Sequence, residues 1–231
     1  MSSTGQRLAS VVLSLVCLRL CAEVIDLNGE AHQVTDAELA AGESFTNSAG
    51  GDPAVLTFSP AAAATYSGTI SGNIRVVKSG SAKLTFATAN SYTGGTSISA
   101  GTLGITVGGA LGSKQVEIAA SSQLSLDAAI DCPNDISLTG ASSSKVQLYT
   151  SITSGTARFT GAVTSTGSLY PGWASGGTLR FAGSGVTLSG DLSNGGGPNG
   201  KTAYFGLSSV LSLSEAQYGE QRRLSFLQCR Q

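Results

Sequence analysis

The stretch VKSGSAKLTFATANSYTGGTSISAGTLGI, residues 77–105, is dominated by Gly, Ser, Thr, Ala and β-branched residues. Leu84 and Phe86 flank Thr85, and Leu103 and Ile105 flank Gly104. Apolar residues at every second position mark half-buried strands, one side turned to a core and the other to water. Between these strands lies Asn90-Ser91-Tyr92-Thr93-Gly94-Gly95-Thr96. Gly and Asn tolerate the backbone conformations that tight corners require, so Gly94-Gly95 is expected at a corner beside Tyr92.

The same period of two runs outward from this unit. Leu56 and Phe58 come before it. Val116 and Ile118, Leu124 and Leu126, Ile136 and Leu138, and Val146 and Leu148 follow it. Leu179 and Phe181, Val186 and Leu188, and Leu211 and Leu213 continue the pattern. The expected inward residues Leu84, Leu103, Leu124 and Val146 recur at nearly even intervals of about 20 residues. A recurrence of that length fits one solenoid coil per interval. A β-sandwich also has many short strands. The solenoid is favoured because Asn-Gly hairpins do not dominate the connections and aromatic residues make up only 6%. Each coil would bury its apolar face only by stacking on the next, forming a narrow core with few large rings.

Lys78, Gly80, Leu84, Asn90, Tyr92, Gly94, Gly95, Thr96, Ala100, Gly101, Thr102 and Leu103 carry a resemblance to a known family. The pattern Lys-x-Gly, Leu, Asn-x-Tyr-x-Gly-Gly-Thr and Ala-Gly-Thr-Leu resembles the passenger-associated transport repeat, also called the autotransporter-associated β-strand repeat. Ala82 stands where that pattern usually has a second Gly, and Phe86 where it has an apolar Leu. One clear copy is present. The resemblance implies an all-β, right-handed parallel β-helix (solenoid) in an exported bacterial surface protein. It names no ligand.

Composition excludes several classes. Charged residues are only 12% and the formal net charge is −1. Nucleic-acid binding therefore has no electrostatic basis. Arg7 followed by the apolar run from Leu8 to Leu18 reads as a signal segment ending near Ala22, too short to span a membrane. The expected organisation is a signal peptide at 1–22, a lead-in or cap at 23–53 and a β-helix at 54–213 with the repeat motif at 77–105. An atypical tail at 214–231, read as a truncated end, follows. Asp36 to Ala41 is expected to make one short helical turn. Cys17 and Cys21 would leave with the signal. At the coil length above, about four coils separate Cys132 from Cys229. At about 4.8 Å per coil they should lie too far apart along a rod to form a disulfide. Cys132 is expected to be a partly buried free thiol.

No catalytic, cofactor-binding or metal-ligating residue is identified, and no cofactor is expected. His32 is the only histidine and is expected on the surface near the start of the mature chain. Ser79, Ser81 and Gly183-Ser184-Gly185 have no histidine partner and are expected in turns. Asp127, Asp131 and Asp135 form the densest acidic group. They are expected to be turn carboxylates capping backbone N–H groups, with a weak cation site as the alternative. Tyr170, Trp173, Tyr204 and Phe205 offer sugar-stacking surfaces, with Trp173 expected on a loop after Pro171-Gly172, though rings covering a corner or a coil end fit them better. The expected function is a non-enzymatic, structural or adhesin-like passenger, extracellular or on the bacterial cell surface. Its partners would be surface glycans or proteins met through exposed loops, with no nucleic acid and no membrane span in the mature chain. The second reading is a β-helix polysaccharide-binding or polysaccharide-cleaving protein.

Overall fold

The computed structural model describes residues 22–139, 147–166, 169–173 and 177–189, together with the strands Tyr204–Phe205 and Val210–Leu213. The expected signal peptide, Val146, the tail and Cys229 lie outside the described residues. Every pairing among the strands is parallel, as in a β-solenoid. The first face is a nine-stranded sheet running from His32–Val34 through Ala54–Phe58, Ile74–Lys78 and Thr96–Ile98 to Val210–Leu213. Nine successive strands on one face define about eight turns. The second face has six strands, from Ala64–Tyr66 to Pro171–Trp173. The third face is broken. It includes Val24–Asp26 with Ser44–Thr46, and Ser71–Gly72 with Ser91–Tyr92. Four more strands, from Asp131–Cys132 to Tyr204–Phe205, complete it.

Register follows the apolar period. Leu56, Val76, Thr96, Val116 and Ile136 share one inward row at a constant sequence interval. Later coils are longer. The steps from Ile136 to Val163 and from Val163 to Val186 both exceed that interval. On the second face Leu84, Leu103 and Leu124 pair in succession and are fully buried. The next residue in that row is Leu148 rather than Val146. The coil that contains it is lengthened, so an even spacing falls short of it.

The core departs from expectation in its rings. Phe45, Phe58, Tyr66 and Phe86 form a connected cluster with centroids 5.1 to 6.4 Å apart. Phe159 stacks on Phe181 at 5.6 Å. Rings are rare in the chain but are concentrated at inward positions, where three faces leave a central column for them to fill. Offset and edge-on ring contacts add to the apolar burial.

The N-terminal end is built differently. The helix Asp36–Ala41 packs on Ala64–Tyr66, the first strand of the second face. It occupies the place where another strand would leave an open edge. Thr35 and Glu38 form a capping box, and Gly42 ends the helix in the left-handed conformation at φ 67°. Leu39 is buried, and the Tyr66 hydroxyl donates to the Glu43 carbonyl at 2.6 Å.

Candidate functional site

The most unusual group in the molecule lies at the corner where the first face turns into the second. Lys78 occupies an inward position, in register with Phe58 on one side and Ile98 on the other. It is 0% exposed. Its Nζ donates to the carbonyls of Ser79 at 2.7 Å, Gly80 at 2.9 Å and Ala100 at 3.2 Å. An ammonium has three donors, and all three are used. Burial holds its pKa below the ordinary lysine value. The three carbonyls work the other way and keep the charged form tolerable. Lys78 thus binds the corner of its own coil to that of the next. Gly101, at that next corner, has φ 69°, and a Cβ on it would come 2.5 Å from the Gly80 carbonyl oxygen.

At the opposite corner the Tyr92 hydroxyl lies 2.5 Å from Thr96 Oγ1. Thr96 Oγ1 in turn donates to the Leu111 carbonyl at 3.4 Å. Thr96 therefore sits in an otherwise apolar row with its hydroxyl satisfied. Burial raises the Tyr92 pKa, since a phenolate there would be desolvated. Gly94 passes so close to the coil beneath that a Cβ would come within 2.5 Å of Ile74 backbone atoms. Asn90 spans three coils: its Oδ1 accepts from Ile70 N–H at 2.8 Å and its Nδ2 donates to the Ala110 carbonyl at 2.7 Å. Asn134 donates to the carbonyls of Gly112 at 3.0 Å and Lys114 at 2.8 Å. Asn47, whose Nδ2 donates to the Asn73 carbonyl at 2.8 Å, fastens coils in the same way, and neither it nor Asn134 belongs to the repeat pattern. Their only sequence signal is an Asn near a turn.

The acidic group separates. Asp127 pairs with Lys83 at 2.7 Å and accepts from Ser125 and Ser151 hydroxyls at 2.6 and 2.7 Å. Asp131 pairs with Arg158 at 3.1 Å. Asp135 accepts from the Ala162 N–H at 2.8 Å. A four-residue spacing unites side chains only on a helix, and these residues lie on strands and turns. Only Asp135 caps a backbone N–H as expected; the other two are held by side chains. Among the described residues there is no group of three His, Cys, Asp or Glu that could hold a metal ion.

The other candidates are scattered. His32 is half-buried rather than a free surface residue. Its Nε2 lies 3.1 Å from Glu38 Oε1, and its ring is 5.5 Å from Phe45. Partial burial pushes the Glu38 carboxyl up, yet hydrogen bonds from Thr35 and His32 hold it below the usual range. Ser81 and Ser184 are exposed, and Ser79 donates to Phe58 O at 3.5 Å. Trp173 belongs to a strand of the second face rather than to a loop. Tyr170 is half-buried. Tyr204 and Phe205 form a strand of the third face, in register with Arg180 and Phe181. Cys132 is fully buried, more so than expected, and is a free thiol. Burial pushes its pKa up to about 12.

Residues 76–105 match the family model of the passenger-associated-transport-repeat. No curated protein and no solved structure matches the chain. The transport repeat covers about one and a half coils and includes both corners just described. Lys78 and Gly101 shape one of them, Tyr92, Gly94 and Thr96 the other, and Asn90 stands just before the short strand Ser91–Tyr92. Its defining polar residues are therefore internal fastenings between coils. The repeat and the solenoid together fit a structural protein of the autotransporter passenger type, a class associated with surface or extracellular export. No helix among the described residues is long and apolar enough to cross a membrane.

Proposed function

We propose that the chain is an exported, non-enzymatic passenger, structural or adhesin-like, that works at the cell surface or outside the cell. The observation that carries this reading is the transport repeat lying in register within the parallel stack of coils. Such a stack holds its outward residues in fixed rows about 4.8 Å apart, a stiff support for contacts with surface glycans or proteins. A non-enzymatic role agrees with the separate partnering of Asp127, Asp131 and Asp135, since paired acid–base chemistry needs carboxyls that converge on one substrate bond.

Expression of the full chain in a Gram-negative host, followed by fractionation and N-terminal sequencing, tests the export reading. The expected result is a chain found outside the cytoplasm with its first residues removed near Ala22. An intact chain confined to the cytoplasm would contradict it. Incubation of the purified protein with common polysaccharides, with and without Ca²⁺, should yield no cleavage. Turnover that disappears in Asp131→Ala or Asp135→Ala would instead establish a polysaccharide-cleaving enzyme.

A further inference from the structure

At the N-terminal end, Val24–Asp26 passes to His32–Val34 through the exposed dipeptide Asn28-Gly29. Both residues have positive φ, 48° and 86°. Glu30 N–H donates to the Leu27 carbonyl at 2.9 Å and closes the two-residue turn. Asn28 is the only non-glycine residue with positive φ among the described residues. Asn-Gly is also the dipeptide most open to an internal reaction, because glycine has no side chain to hinder its own amide nitrogen. That nitrogen attacks the Asn side-chain carbonyl carbon. A new N–C bond forms, the amide proton passes to the leaving group, and ammonia departs. Water then opens the five-membered imide to aspartate or to isoaspartate.

The attacking atom is held here. Gly29 N–H donates to Asn47 Oδ1 at 2.8 Å. Asn47 is 7% exposed and is anchored in turn, its Nδ2 donating to the Asn73 carbonyl at 2.8 Å on the next coil. Ala49 N–H also donates to Asn47 Oδ1 at 3.2 Å. From the other side, Asp26 Oδ1 accepts from Asn28 N–H and Ser48 N–H, each at 3.0 Å. The Gly29 nitrogen must give up its proton to react, and donating that proton to Asn47 Oδ1 in a closed turn opposes both deprotonation and approach.

We propose that Asn28 is a site of spontaneous deamidation kept latent by Asn47, so that its conversion records opening of the N-terminal end of the solenoid. Isoaspartate adds a methylene to the backbone, which the two-residue turn cannot accommodate. The change would also place a further negative charge beside Asp26 and Glu30. Once converted, the Val24–Asp26 strand would not return to its place.

The test incubates the full-length protein at mildly alkaline pH and follows Asn28 by peptide mapping with mass spectrometry. The mapping separates it from Asn194-Gly195 and Asn199-Gly200, which carry the same dipeptide. In native protein Asn28 should convert far more slowly than in protein held in denaturant. Asn47→Ala should convert roughly tenfold faster than wild type, the size expected when one hydrogen bond and its restraint are lost. Asn47→Asp keeps an acceptor for Gly29 N–H but loses the donor to the Asn73 carbonyl, so it should convert more slowly than Asn47→Ala, which separates shielding of Gly29 from loss of the anchor. Equal rates in native and denatured wild type would overturn the proposal. So would Asn47→Ala matching wild type, or Asn47→Asp converting as fast as Asn47→Ala while both remain folded by circular dichroism.

Discussion

Lys78 shows how far a residue can depart from its usual place when its donors are all used. Replacing it with Met keeps most of the bulk but leaves three corner carbonyls without their donor. Hydrogen bonds to a charged group contribute about 1.5 to 3 kcal/mol, and Lys78→Met should lower stability by a similar amount in denaturant melts. An unchanged denaturant midpoint would mean that the carbonyls find other partners. Lys78 and Cys132 also pull the pH dependence in opposite directions. The Cys132 thiol rises from 9.0 to about 12 in the folded state. The folded form therefore holds its proton more tightly, and the related stability is intact below pH 9 and lost as pH rises toward 12. Tyr66 and Tyr92, also raised by burial, add the same trend above their ordinary value of 10.0. The lowered Lys78 acts in reverse, its desolvation cost fading as pH nears 10.5. Three groups oppose one, so the fold should weaken above pH 9. In Cys132→Ala the decline should be shallower, which melting midpoints across this range would measure. An identical slope in both proteins would show that the thiol does not titrate on unfolding.

At the scale of elements, the decisive residues are those in the inward rows and at the cap. Leu103 lies between Leu84 and Leu124 in adjacent coils. Leu103→Asp would bury an unpaired charge, which costs several kcal/mol, and should abolish the cooperative unfolding transition. A variant that melts like wild type would place Leu103 at the surface. The helix is a smaller case. Thr35→Ala removes one half of its capping box and should cost about 1 kcal/mol, read as a lower denaturant midpoint. The strand rows were legible because period two is a property of the backbone, and the positions of Leu84, Leu103 and Leu124 followed from it. Leu148 was misread as Val146 because both residues satisfy that period, and only coil length decides between them. Lys78 was legible as a motif residue but not as a buried one, since its charge argues for water until three carbonyls are brought around it. Asp127, Asp131 and Asp135 looked like one group because sequence proximity does not reveal that each meets a partner from a different coil, at Lys83, Arg158 and Ala162.

For the whole molecule, stability accumulates coil by coil, since each strand pairs with its counterparts in neighbouring coils and the core has no separate centre. The outward row of the first face passes through Thr57, Val77, Ser97, Glu117, Ser137, Thr164 and Thr187. Neighbours in such a row are about 4.8 Å apart. Spin labels on cysteines introduced at Thr57 together with Ser137, Thr164 or Thr187, with Cys17, Cys21 and Cys229 replaced, would read this spacing directly by electron–electron resonance. A parallel solenoid predicts distances that grow by about 4.8 Å from each pair to the next, from roughly 19 to 24 to 29 Å between backbone positions. Distances that fail to grow in that order, or that fold back to shorter values as antiparallel hairpins would give, would contradict the stack on which the account rests.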